Sequence, residues 1–320
     1  MTDVLSATVT NTSDILSINV SDSHTSPTAI AQVTAVSTSL DIGDSVTIVM
    51  GYSGDTFTAL TGFVKDIELK EPEMFYTISI ANVMIRAMDY FIAAPSPTEP
   101  YTWSNISAED LIQAVLELSG LTNFDMEATS FTFAISNPVE VNLTSSFDYA
   151  RFISDIIAFN LYADNSGTVK LVNRRPYPVG GDTSVATFGH SSILSATYGV
   201  SDRDLRNRVI VYGTGDIHAT ASASSPYLPA GYYRTVVVAA PGVIDSQSMA
   251  EQAAAYNLDL LNKLTYRLSL SLIGYTGLFA RSVVTINLPE LGITNQKWYV
   301  FAIEHNWSRT GYITNVELRR

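Results

Sequence analysis

Apolar and polar positions alternate with period two over most of the first 95 residues, the signature of half-buried strands. Ile15, Ser17 and Asn19 alternate with Leu16, Ile18 and Val20. Ser45–Met50 (SVTIVM) runs into the turn cluster Gly51-Tyr52-Ser53-Gly54-Asp55. Leu60–Leu69 alternates again, and Phe75–Ile80 (FYTISI) is rich in β-branched and aromatic residues. Short strands divided by Gly, Asp and Pro turns point to a barrel or sandwich. Ala93–Pro100 (AAPSPTEP) then reads as a linker, because proline stops both helices and central strands.

The period changes beyond it. Ser107 is placed to cap a helix with Asp110 three residues on. Leu111, Ile112, Val115 and Leu116 share one helical face, and Gly120 with Leu121 supplies a stop. A second helix is expected from Ser145 or Ser146, with Tyr149, Phe152, Ile153, Ile156 and Ile157 on its buried stripe and Asn160 at its end. Leu161–Ala163, the turn Asp164-Asn165-Ser166-Gly167 and Thr168–Val172 form a hairpin pattern. Ser195–Tyr212 returns to strands. A flexible Ala219–Ser225 stretch, a strand at Tyr233–Ala239 and an alanine-rich helix from Ser246 to Leu264 follow.

The last segment is β again. Tyr266, Leu268, Leu270 and Leu272 face one way and Arg267, Ser269 and Ser271 the other; Val283–Leu288, Trp298–His305 and Tyr312–Leu318 complete the pattern. The expected class is therefore mainly β, α+β: two tube-like antiparallel β-barrel modules and a small α/β unit. The expected boundaries are 1–95 for the first β-module and 96–185 for the α/β domain. A discontinuous second β-module occupies 186–214 and 265–320, and an excursion at 215–264 packs its helix on the α/β domain.

Charge narrows the partners. The chain has 320 residues and a net charge of −13, from 18 basic and 31 acidic side chains. Net acidity argues against sequence-independent nucleic-acid binding and against anionic lipid. Only 15% of residues are charged, below the roughly 25% of ordinary soluble proteins, which hints at surface hidden by assembly. The absence of cysteine excludes disulfides, thiolate catalysis and cysteine-held metals. The opening residues MTDVLSATVTNTSD show no secretory signal, and no apolar run reaches the ~18 residues of a membrane span.

Candidate chemistry is sparse. His24, His190, His218 and His305 have no partner at metal-ligand spacing. Gly51-Tyr52-Ser53-Gly54 lacks the spacing of a nucleophile elbow and leads into a strand. Gly213-Thr214-Gly215 follows a strand, as a dinucleotide loop does, but His218 holds the third glycine position and no helix opens there. Asp164-Asn165-Ser166-Gly167 lacks a calcium loop's spacing and terminal glutamate. The pairs Glu109 with Asp110 and Asp202 with Asp204 have no cleft legible in sequence, and the first suits a helix N-terminus. Mixed charge over Asp202–Arg208 favours a salt-bridged surface or subunit contact. Tyr266 and Trp298 sit in strand patterns, as core or interface residues do. No catalytic, cofactor or metal residue is expected.

Several stretches resemble the baseplate hub family of contractile-tailed phages, whose relatives include the trimeric base of type VI secretion spikes and tail-tip proteins. They are Asp41–Ile48 followed by Leu60–Ile67, the helices and hairpin of Ser107–Gly120 and Phe147–Val172, the re-entry strand Arg206–Gly213, and Trp298–His305 with Gly311–Leu318. The resemblance implies a non-enzymatic homotrimeric ring that adapts a sixfold tail tube to a threefold central spike and leaves a channel for DNA ejection. It implies that 186–214 pairs with 265–320, and that Leu111–Val172 and Asp216–Leu264 form a spike-facing cup. The implied partners are the chain itself, a spike protein, a tail tube or distal tail protein, and tape-measure and wedge proteins. The implied location is the virion baseplate, assembled in the host cytoplasm without membrane insertion. Two other readings stand beside it: a tail-tip protein of a non-contractile phage, and a carbohydrate-binding or glycan-processing β-protein, for which the 17 tyrosines could stack sugars.

Overall fold

The computed structural model describes residues 4–72, 74–94, 96, 99–133 and 138–320. Met1–Asp3, and residues 95, 97 and 98 of the proline-rich linker, lie outside the described residues. The fold is mainly β, and one twelve-stranded sheet runs through both β-modules.

Six strands make the first module: Leu5–Val9, Thr12–Ser23, Ile30–Thr38, Ser45–Tyr52, Asp55–Lys70 and Phe75–Asn82. Leu5–Val9 pairs with Ser45–Tyr52 and meets Thr12 through Val9, so the sheet closes on itself. Val33, Val46, Ile48, Met50, Leu60 and Ile78 fill its interior. Leu5–Val9 and Ile30–Thr38 were not evident in the sequence pattern. In the latter, two of the three inward positions (Ala31, Val33 and Ala35) are alanines, which weakens the apolar signal. A register shift between Ile15 and Ser17 also alters the expected faces: Ile15 turns inward with Ile18 and Val20, and Leu16 is half-buried.

Thr12–Ser23 continues beyond the barrel. Its second edge pairs with Ile293–Ser308, from Ser17 opposite Ser308 to Ser23 opposite Ala302. The second module extends from that strand through Gly311–Arg319, Thr265–Ile273 and Ile193–Ser201 on one side, and through Val283–Leu288 and Ala186–Gly189 on the other. Leu268, Leu270 and Leu272 are buried on the face the alternation assigned them, with Val284, Ile286, Val300 and Leu318.

Among the described residues there are four α-helices: α1 (Ile85–Asp89), α2 (Ala108–Glu117), α3 (Ser146–Ile156) and α4 (Gln247–Leu261). The Ser107, Ser145 and Ser246 hydroxyls accept from the backbone N–H groups of Asp110, Asp148 and Met249, satisfying donors that the first helical turn leaves free. α4 ends three residues before Leu264, with Asn262 as its C-cap.

One strand lies elsewhere than expected. Arg208–Tyr212 does not join the second β-module. It sits between His218–Ser222, antiparallel, and Thr235–Ala239, parallel, in a separate three-stranded sheet. Val209 and Val211 need an apolar cover, which the small Ala250, Ala253 and Ala254 face of α4 provides. Asn207 ties the arrangement: its side-chain amide donates to Tyr232 O, and its side-chain oxygen accepts from Arg234 N–H. His218–Ser222 takes up most of the stretch expected to be flexible. This sheet and α4 share one core with Leu111, Val115, Ile153, Leu161 and Leu171 of the α/β unit.

Candidate functional site

Each sequence candidate has a local structural partner. His305 is buried; its Nδ1 lies 2.8 Å from Tyr312 Oη and its Nε2 3.0 Å from Leu278 O, and burial pushes it down to about 4. His24 packs beside Tyr299 and Phe301 where the β-modules meet the α/β unit. Burial, then the charges of Arg281, Arg151, Arg319 and Arg174, lower it to about 3. His190 lies 2.9 Å from Glu290 at the surface, and exposed His218 contacts Asp216 O. Among the described residues no group of three or more His, Asp or Glu side chains could hold a metal ion.

The other motifs are turns and struts. Gly213 lies where a Cβ would meet Ile244 O at 2.5 Å, so its backbone is packed directly against the neighbouring chain. Thr214 Oγ1 accepts from Gly242 N–H. Asp164 Oδ1 accepts from the N–H groups of Ser166 and Thr168, while Asn165 donates to Thr58 O and pins this turn to the first barrel. Gly51 and Tyr52 belong to a strand that pairs back on Asp55–Lys70. Asp110 and Glu109 accept from Ser107 Oγ and Thr129 Oγ1 at the start of α2. Asp202 pairs with Arg234, and Asp204 with Arg267, tying the small sheet and the second module together. Trp298 is buried and Tyr266 packs against the second-module core.

The chemistry that stands out is spread over a surface. Cross-strand register places Asp66, Ser79, Gln32, Asn19 and Asn306 in one row on one face of the large sheet. A neighbouring row runs Ser21, Glu304, Asn315, Ser271, Ser195. Thr77, Thr34, Ser17 and Ser308 form a third, which ends in Glu68 close to the strand end at Lys70, and Glu317, Ser269 and Thr197 a fourth. The first three rows cross from the first module into the second; none of the four contains lysine or arginine, and the next row on this face is Arg319 with Arg267. Glu304 accepts from Asn19 and Asn315, which hold its carboxyl below the usual range and keep it charged. The period-two Ser, Asn and Glu positions of Thr265–Ile273, Ile293–Ser308 and Gly311–Arg319 carried the signal for this face; the register that aligns them was not legible.

The sheet also ends in an unpaired strand. Ile193–Ser201 bonds on one side to Thr265–Ile273 and terminates the strand order. Ala196, Tyr198 and Val200 lie opposite Leu270, Leu268 and Tyr266, on the core side of the sheet. They are nevertheless exposed, with Val200 at 50%. A free edge with apolar side chains beside it is a template for another strand.

No family model matches the chain, and no curated protein matches its sequence. Solved structures do match. A tail protein from Neisseria meningitidis MC58 superposes with a TM-score of 0.71 at 11% identity, over 99% of this chain and 96% of that one. The 43 kDa tail protein of prophage MuSo2 from Shewanella oneidensis gives 0.70 at 12% identity, over 99% and 97%. The chain has the phage tail-protein fold. An Escherichia coli component of the type VI secretion system, described as similar to T4 bacteriophage tail proteins, shares this tail-protein fold at a TM-score of 0.63 and 8% identity, over 98% of this chain and 76% of its own length. The likeness is one of backbone. The functional reading of this tail-protein fold rests on its own polar face and free edge.

Proposed function

We propose that the chain is a structural hub of a phage tail or related injection machine. Three copies form a closed ring that joins a sixfold tail tube to a threefold spike and leaves a channel for DNA. The carrying observation is the polar face that passes from one β-module to the other through Asn19 and Asn306 and through Ser21 and Glu304, with Arg267 and Arg319 only in its last row. Turned inward, it gives a wall of hydroxyls, amides and carboxylates. Its carboxylates outnumber its cations, and three copies of a −13 chain repel phosphates, so DNA slides through. The free Ile193–Ser201 edge supplies the reason to assemble, because ring closure covers exposed edges.

In this reading the two β-modules meet the tube. The α/β unit and the three-stranded sheet with α4, which share a core, form the cup that receives the spike. The domains are then the first β-module to residue 95, the α/β unit to 185, a second β-module of 186–201 with 265–320, and an excursion that begins before Arg208. The protein acts without catalysis, as a virion component assembled in the host cytoplasm. The test is native mass measurement followed by electron cryomicroscopy. A species of three times 34.8 kDa with the polar face on its lumen is the expected result. A monomer at all concentrations, or a lumen lined with arginine and lysine, overturns the proposal.

A further inference from the structure

A cavity of about 530 Å³ opens where the C-terminal ends of α3 and α4 approach the end of the Gly311–Arg319 strand. Six arginines and Lys263 line it, against Asp155 and Asp204. That is 7 of the chain's 18 basic residues in one cleft of an acidic protein. Several are already neutralised: Arg151 by Asp155, Arg174 by Asp182 and Arg175 by Asp259. Arg206 and Arg320 are not. Arg206 donates to the backbone oxygens of Arg203 and Leu205, and Arg320 to the side-chain oxygen of Gln296. Among the described residues neither has a carboxylate partner. Leu260, Leu261 and Phe301 supply apolar wall between the guanidinium groups.

The charge of the chain is polarised to match. Residues 1–92 carry 11 acids and 3 bases, whereas residues 265–320 carry 6 bases and 3 acids. Copies with such opposite ends attract head to tail, the heterologous contact from which rings close. The end of the Asp55–Lys70 strand and the connection after it expose Glu68 and Glu71 together with Leu69 and Met74, with Lys70 between the two carboxylates. Carboxylates interspersed with apolar side chains fit a cleft in which guanidinium groups are interspersed with Leu and Phe. Arginine pairs well with carboxylates in such settings because it is weakly hydrated and its planar fork matches them. A polyphosphate would instead have to approach a surface of net charge −13.

We infer that the Glu68–Glu71 end of the first β-module docks into the Arg206 and Arg320 cleft of the next copy. The inference rests on the ring reading and names the contact that fixes the order of subunits around it. The experiment uses the full chain, with association followed by analytical ultracentrifugation and thermal melts checking the fold. Glu68→Lys with Glu71→Lys, and separately Arg206→Glu with Arg320→Glu, are each expected to weaken assembly at least tenfold with unchanged melts. The four-substitution variant, with both charges reversed, is expected to recover most of the association. If wild type assembles and both double variants assemble equally well, this contact is wrong and the ring reading stands. If wild type stays monomeric, both fall. If the cleft variant assembles normally but loses affinity for a duplex DNA probe that wild type retains, the cleft belongs to nucleic acid and the inference is overturned.

Discussion

The guanidinium of Arg281 lies 2.8 Å from the carboxylate of Asp22, a contact that bridges 259 residues of chain and locks the second β-module to the long strand of the first. Arg281 also donates to Ser23 O and lies over the Tyr162 ring of the α/β unit. The three parts of the molecule therefore meet at one guanidinium. Its side chain is only 6% exposed and that of Asp22 22%. Burial pushes the Asp22 carboxyl up, and the attraction of Arg281 offsets this only in part.

Such a pair costs much when halved and little when removed whole. Arg281→Met, which leaves Asp22 unpaired, is expected to destabilise the fold by about 3 kcal/mol. Arg281→Met with Asp22→Leu is expected to lose clearly less than the two single changes added together. Urea unfolding of the four proteins measures the coupling. Additive losses would show that the pair does not act as a unit.

Acid sensitivity follows from the two buried histidines. An unfolded imidazole takes up its proton near 6.5, whereas His305 resists down to about 4 and His24 to about 3. Between those values the unfolded chain binds the extra protons, so stability is full above 6.5 and falls as pH drops. Each histidine contributes a slope that approaches about 1.4 kcal/mol per pH unit. Burial pushes the Asp22 and Asp155 carboxyls up, so the difference between wild type and a histidine variant from pH 6.5 to 5, not the wild-type curve alone, isolates the effect. Urea unfolding of wild type and His305→Gln checks it; the variant is expected to lose about half of the slope, and an unchanged slope refutes the assignment.

Local patterns were legible where a single residue decides them. The Ser107 cap, the Leu111–Leu116 face and the Leu268–Leu272 alternation follow from local residue type and periodicity, and the structure has them. What escaped was set by pairing at a distance. Arg206–Gly213 has a strand's composition in either of two sheets, and it is the alanine face of α4 and the side chain of Asn207 that hold it in the smaller one. The polar face escaped for the same reason. Asn19, Glu304, Asn315 and Ser271 are ordinary residues until register aligns them across four strands.

The serine caps give a local stability test. Ser145 Oγ accepts from Asp148 N–H at 2.9 Å, and Asp148 adds negative charge to the first turn of α3. Ser145→Ala is expected to cost about 1 kcal/mol. Ser145→Asp restores an acceptor and is expected to recover most of the loss. Thermal melts of the three proteins decide it.

The free edge predicts a separation of folding from assembly. Val200 lies on the core side of Ile193–Ser201 yet is 50% exposed. A lysine there adds charge to a lone edge without disturbing a packed interior. Val200→Lys is expected to leave the melting temperature within a few degrees and to abolish the assembled species in native mass measurements. A variant that still assembles removes this edge from the interface.

The polar face makes the sharpest demand on function, because the rows that join the two β-modules hold Ser, Asn and Glu without a cation. Asn306 sits between Asn19, whose amide donates to it, and the Ile313 position on the next strand. It is half-buried, and Glu304 two residues away keeps its charge. Replacing Asn306 by lysine puts one cation per copy on the face, and Ser271→Lys adds another. Each phosphate contact made by a cation releases a counterion, so affinity for DNA rises and becomes steeply dependent on salt. Wild type is expected to show no retention of duplex DNA in a mobility assay at low salt. The Asn306→Lys, Ser271→Lys variant is expected to retain it, with binding lost as salt is raised. In particles, the same variant is expected to slow genome release without reducing assembly. Retention of DNA by wild type itself would mean that the face is no slippery wall.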